Sequence, residues 1–244
     1  MARKAEVGSV LLGGQVIPLR MQWQARARRV TMTLDHTQRC LRLVLPPSVG
    51  SSEALAFCRQ QEVWVLNRWA ALPRPIPFAP GSRLPLHGEE AEIRHCRNAR
   101  RGVWREPGAL NVSGPLEHLP RRVETHCRAE AQRLLQEAVR AKAARIDRRP
   151  GRVSLRASRS RWGSCSPKGD LSFCWRLVFA PPEVLDYVAA HEVAHLAHMN
   201  HSPAFWRVCA ELVEDIAGPR RWLAKHGASL WRYGSGMETP GTQM

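Results

Sequence analysis

The hydrophobic period of this chain changes once, near residue 115, and that change restricts the fold more than any other feature. Before it, Val16-Ile17-Pro18-Leu19, Val30-Thr31-Met32-Thr33-Leu34 and Leu41-Arg42-Leu43-Val44-Leu45 place apolar residues two apart, as half-buried strands do. His36-Thr37-Gln38-Arg39 would turn the last two into a hairpin. A helical pattern opens at Ser51-Ser52-Glu53, with Ser52 as its N-cap, and runs to about Ala71. A proline-rich bend (Pro73, Pro75, Pro77, Pro80) and further short strands up to Val112 follow. From Glu117 to Asp147 the period is helical, and Val123, Cys127, Leu134, Leu135 and Val139 suit the apolar face of one long amphipathic helix.

Pro150-Gly151 stops that helix. Two strands are expected next, Val153 to Arg159 and Leu171 to Phe179, joined by a turn at Ser166-Pro167-Lys168-Gly169-Asp170. Pro181-Pro182-Glu183 opens a helix where the missing proline N–H costs nothing. Helical signals return from Pro203 to Ile216 and from Arg220 to Ala228. The expected class is α+β. A strand-rich portion with one helix covers 1–115, a portion with a short antiparallel sheet and several helices covers 116–233, and a disordered tail covers 234–244. No internal repeat is visible in the sequence.

Composition removes several classes of function. A chain of 244 residues with 44% hydrophobic residues can bury a proper core and is not a disordered chain. No apolar run approaches the roughly 18 residues of a membrane helix, so no membrane partner is expected. Val10-Leu11-Leu12 is too short for the core of a secretory signal. Seven cysteines, odd in number and never spaced C-x-x-C, argue against a disulfide scaffold and a four-cysteine zinc site, and suit reduced thiols in the cytoplasm. The net charge is +16, and all but four of the 37 basic residues are Arg. Such a field attracts nucleotides or nucleic acid, and Arg145 to Arg161 is the most basic stretch, with seven Arg against one Asp. A coding bias toward Arg yields the same composition, with most of the charge on a solvated face.

The chemistry concentrates in His191-Glu192-Val193-Ala194-His195, followed by His198 and His201. Residues four apart on a helix share a face, so His191 and His195 can hold one metal ion. Glu192 is rotated about 100° from His191 and stands beside the metal as a general base. A catalytic zinc takes three protein ligands and leaves a position open. His198 continues the helical face but lies about 10 Å of helix rise from His191. His201 can return only if the helix stops first, which Asn200, tolerant of left-handed geometry, and Pro203 both favour. His201 is the preferred third ligand, and His198 is its rival. Glu211, Glu214 and Asp215 are read first as a solvated helix face, and otherwise as carboxylate donors in place of His201 or partners of a ligand imidazole. Tyr187, one turn before His191, either supports the site, stabilises an oxyanion or packs at the helix start. Arg161 and Ser164 either hold a substrate carboxylate or phosphate or serve the hairpin structurally, Cys165 is read as structural, and Trp175, Trp206 and Trp222 are read as core.

The run Arg161-Trp162-Gly163-Ser164-Cys165-Ser166, then Leu171, Trp175-Arg176-Leu177, Ala180-Pro181, Asp186-Tyr187-Val188, His191-Glu192 and Asn200-His201-Ser202-Pro203-x-Phe205-Trp206 closely resembles the YgjP-like metallopeptidase domain, a relative of the SprT-like and WLM zincins. The resemblance is dense over 150–210 and extends loosely over 20–228. It implies a zincin-like C-terminal portion, zinc on His191, His195 and His201, and Glu192 as catalytic acid and base. One position departs: Cys174 stands where the family commonly has Asn. The metzincin spacing also fits, but His198 occupies its glycine position.

The expected function is a zinc-dependent metallopeptidase acting on a peptide or protein. Three alternatives stand beside it. One is a nucleotide or phosphoester hydrolase, favoured by the positive charge. Another is a DNA-associated SprT-like protease, and the last is a non-catalytic basic module whose zinc is closed by a fourth ligand such as His198. The sequence does not specify an oligomeric state.

Overall fold

A computed structural model describes residues 5–35, 38–156 and 161–234. The tail beyond Gly234, His36 and Thr37 of the expected hairpin turn, and the end of the strand expected to reach Arg159 lie outside the described residues. By packing, the chain forms two compact units, Met1–Arg74 and Pro75–Met244.

The first unit holds β1 (Glu6–Leu12), β2 (Gln15–Trp23), β3 (Thr31–Asp35), β4 (Cys40–Leu45), α1 (Ser51–Gln60) and α2 (Glu62–Ala70). Its sheet runs β1-β2-β4-β3, with β2 and β4 parallel and the flanking pairs antiparallel. Alternation does its expected work: Ile17, Leu19 and Met21 are buried, while Val16, Pro18 and Arg20 are exposed. The single helix expected over Ser51 to Ala71 is two helices. The Gln61 N–H is shared between the Phe57 and Cys58 carbonyls, and the axis restarts at Glu62. The cap also differs: Gly50 occupies the N-cap without a side-chain bond, and the neighbouring Ser51 hydroxyl donates to Glu6 at 2.9 Å.

The second unit opens with β5 (Arg83–Leu86), β6 (Glu89–Cys96), β7 (Val103–Glu106) and β8 (Ala109–Ser113), then α3 (Leu119–Arg145). Leu84, Leu86, Ile93, Leu110 and Val112 share one core with Val123, Cys127, Leu135 and Val139 of α3. By packing, therefore, residues 75–115 go with the C-terminal elements rather than with the N-terminal portion in which the sequence reading grouped them. The apolar face of this sheet is covered by α3, and the division falls in the proline-rich bend.

Next come β9 (Val153–Arg156), β10 (Gly163–Cys165) and β11 (Leu171–Cys174), in the order β10-β11-β9. The pair β10–β11 is the antiparallel hairpin, and β9 joins β11 in parallel. The strand expected to reach Phe179 ends at Cys174, and Trp175–Phe179 form tight 3-10 turns. Trp175, Leu177, Val178 and Phe179 are all buried in these turns, and the Ala180 N–H donates to Leu177 O at 3.0 Å.

The remaining helices are α4 (Pro182–Ala194), α5 (Pro203–Leu212) and α6 (Ala217–His226). Pro182 sits in the first turn of α4, where its missing N–H is harmless. The expected reach of α5 to Ile216 is cut at Leu212. The Leu212 carbonyl accepts from Lys142 at 3.0 Å and from Arg145 at 3.2 Å, so cations of α3 complement the negative end of α5. Lys142 is buried and also donates to Asp186 at 2.8 Å, tying α3 to α4 as well. No described helix is long and apolar enough to cross a membrane.

Candidate metal centre

The last turn of α4 carries His191 and His195, and the helix ends at Ala194 with His195 as its C-cap. The chain then tightens: Leu196 N–H donates to Val193 O at 2.9 Å and His198 N–H to Ala194 O at 3.0 Å. Asn200 does not make the reversal through left-handed geometry, because the described non-glycine residues with positive φ are Arg39, His87 and Asp147. The Ser202 hydroxyl caps α5 by accepting from Phe205 N–H at 3.4 Å, with Pro203 in the first turn.

This reversal swings His201 back over α4. One ring nitrogen from each of His191, His195 and His201 falls within 4.8 Å of the others. The His191 and His201 Nε2 atoms lie 3.0 Å apart. Phe205, fully buried, packs on all three imidazoles with ring centroids at 4.6–4.9 Å. Trp206 packs against the core as expected, and it also stacks on His201 at 5.8 Å and carries the Arg220 guanidinium on its ring. His198 stays outside the cluster. Its contribution is its backbone carbonyl, 3.0 Å from His195 Nδ1.

That contact sets a tautomer. With Nδ1–H donating to the carbonyl, the Nε2 lone pair of His195 is free for a metal. The Tyr187 hydroxyl lies 3.5 Å from His191 Nδ1 and braces the second ring, whose Nε2 faces His201. Burial and the neighbouring His195, His201 and Arg220 push His191 down to about 4. Burial lowers His195 too, with the His198 carbonyl opposing. Three imidazole nitrogens that converge on one point, with burial favouring the neutral form of His191 and His195, are a donor set that suits a divalent transition metal, so these residues fit the ion.

Glu192, from the same helix turn, lines one cleft with the three imidazoles and is 5% exposed. Burial raises it to about 7, against the opposing charge of Arg161. Its carboxylate fits over Gly163 of β10, where an added Cβ would stand 2.5 Å from both Cγ and Oε1. Gly163 is a positioning residue that sequence reasoning passed over; a glycine inside a short strand is the signal that marks such a close approach. A cleft of about 420 Å³ brings together His191, His195, His201, Glu192, Tyr187, Arg161 and Ser164. Cys165 also lines it, and burial together with Glu192 lifts its thiol to about 11, so it is not a thiolate nucleophile. The other acids lie elsewhere: Glu211, Glu214 and Asp215 line a separate recess with Lys142 and Arg145. Cys174 is fully buried at the end of β11 and does not line the cleft.

An α+β fold that converges three imidazoles and one buried carboxylate on a cleft has the build of a metal-dependent hydrolase. The sequence pattern of the YgjP-like, metallopeptidase domain matches residues 28–226, and the chain belongs to that family. A metal ion and a metallopeptidase-type hydrolase activity follow at that level. No curated protein matches the chain. Among solved structures, a crystal structure of the metallopeptidase zymogen of Pyrococcus abyssi abylysin is similar at 24% identity. It covers 42% of this chain and 97% of its own, with a TM-score of 0.34, and a likeness that loose carries no argument.

Proposed function

We propose that the protein is a zinc-dependent peptidase in which His191, His195 and His201 hold the metal and Glu192 is the general acid and base. The observation that carries this reading is the convergence of three imidazole nitrogens within 4.8 Å beside a buried carboxylate in one cleft. When bound, zinc supplies Lewis acidity that polarises a carbonyl and acidifies water. Glu192 takes a proton from the water attacking the scissile carbonyl carbon and returns it to the departing amine. A carboxyl group raised to about 7 is matched to both transfers near neutral pH. Gly163 leaves room for that carboxyl, and the Tyr187 hydroxyl and His198 carbonyl keep the outer nitrogens of two imidazoles occupied. Arg161 lines the same cleft, and on this reading its guanidinium holds a substrate carbonyl or carboxylate.

Metal content by plasma mass spectrometry on tag-free protein tests the ligand set. About one zinc per chain is expected, sharply reduced by His201→Ala. A peptide-library screen then tests the reaction. Glu192→Gln should keep the metal and lose about 10²–10⁴-fold in turnover. Full turnover in that variant removes Glu192 from the mechanism, and cleavage of nucleotides in place of peptides replaces the peptidase reading.

A further inference from the structure

The long helix α3 carries two kinds of surface. In its middle turns the charges are paired: Arg128 meets Glu124 at 2.8 Å, and Arg133 bridges Glu130 at 2.7 Å and Glu137 at 2.9 Å. From residue 140 to 156, seven basic residues face a single acid in the sequence, Asp147. Two of the seven are committed within the fold. Lys142 is buried against Asp186 and the Leu212 carbonyl, and Arg145 reaches the Leu212 and Glu211 carbonyls. The other five, Arg140, Arg148, Arg149, Arg152 and Arg156, are exposed and form no ion pair among the described residues.

Arg140, Arg148 and Arg149 rim a recess of about 570 Å³ between the end of α3 and the start of β9, with Val139, Ala143 and Val153 among its apolar lining. Arg152 just before the edge strand β9 and Arg156 at its end extend the charge past the recess. Guanidinium groups gathered around one hollow repel each other, with only Asp147 to offset them. They also match phosphate oxygens in a bidentate manner that Lys does not. We propose that this recess and its arginines form a docking site for the phosphodiester backbone of a nucleic acid. A polymer strand can enter a hollow that a flat anionic bilayer spans without filling. The recess lies apart from the histidine cleft and shares no lining residue with it, so the site stands whether or not that cleft cuts peptides.

The test is fluorescence anisotropy of a labelled oligonucleotide of about 20 nucleotides, single-stranded and duplex, titrated with the full chain over a salt series. Wild type should bind, with affinity falling steeply as salt rises. Arg140→Ser/Arg148→Ser/Arg149→Ser should weaken binding at least about tenfold and reduce the slope of log K against log salt by about 2–3. The control removes the same charge from the first unit, Arg26→Ser/Arg28→Ser/Arg29→Ser at three exposed positions, and should stay within about twofold of wild type. Thermal melts of both variants verify the fold, and Arg140→Lys/Arg148→Lys/Arg149→Lys, which keeps the charge, should retain most of the salt slope. Equal losses in the two Ser variants would reduce the effect to net charge and overturn the site. So would absence of binding at low salt, or preferential binding to phosphatidylserine vesicles lost in the same recess variant.

Discussion

The first sheet runs β1-β2-β4-β3 and the second β5-β6-β8-β7, each with a parallel central pair between antiparallel flanks. Each opens on a two-residue hairpin loop whose residues both have positive φ: Gly13 and Gly14 at 50° and 76°, His87 and Gly88 at 53° and 83°. Each is followed by a helix that buries a cysteine, Cys58 or Cys127. Their surroundings separate them. The first sheet leaves Val7, Leu11 and Val16 exposed, whereas every residue of β8 is buried. All the buried polar side chains among the described residues, Asn111, Ser113, Lys142, Ser172 and Glu192, belong to the second unit. A shared topology therefore produces two different materials. One sheet is covered on one side and open on the other; the second is a platform under α3, which in turn anchors α4 and its histidines.

The comparison breaks if both sheets matter equally to the metal centre. Leu43→Ala in β4 and Leu110→Ala in β8 each delete a fully buried side chain and should each cost about 2–5 kcal/mol in urea unfolding. Only Leu110→Ala should also weaken zinc binding measured by chelator competition, because its core is the one that includes α4. Equal zinc losses would end the distinction. A smaller effect is expected at the site itself. Gly163→Ala forces the Glu192 carboxylate to move and should cost about 1–3 kcal/mol. Turnover should fall at least about tenfold with metal content unchanged, since misplacing a reacting group by an ångström is expensive.

The smallest effect is in pH. Glu192 rises from 4.5 to about 7 in the fold, so its contribution to stability is present below 4.5 and lost as pH climbs toward 7. His191 falls from 6.5 to about 4, so its contribution is present above 6.5 and lost as pH drops toward 4. In metal-free protein these slopes oppose each other between 4.5 and 6.5. Glu192→Gln removes the first, and its urea midpoint should then rise with pH across that window more steeply than wild type. A variant profile as flat as wild type would contradict the opposed burial.

Local signals made much of this readable in the sequence. The alternation in β2 and β4, the helical period of α3 and the four-residue spacing of His191 and His195 are properties of short windows. What stayed hidden depends on partners far along the chain. Trp175–Phe179 looks like a continuation of β11 in its apolar run, and its tight turns emerge only in the packed core. The end of α5 is set by Lys142 and Arg145, some 70 residues earlier. Gly163 inside a short strand signals a close approach, but not that the group approaching is Glu192, 29 residues later. The matching sheets escaped notice because topology is conveyed by alternation and turn geometry, while the residues that fill them differ.

The His198 carbonyl that faces His195 Nδ1 at 3.0 Å belongs to the main chain. No exchange of side chain at position 198 deletes that acceptor, so a substitution scan is blind to it. A change in the number of residues between His195 and His201 displaces it directly. Loop length, more than residue identity, is therefore the heritable quantity guarding the orientation of that ring, and this stretch can drift in sequence while remaining intolerant of insertions and deletions.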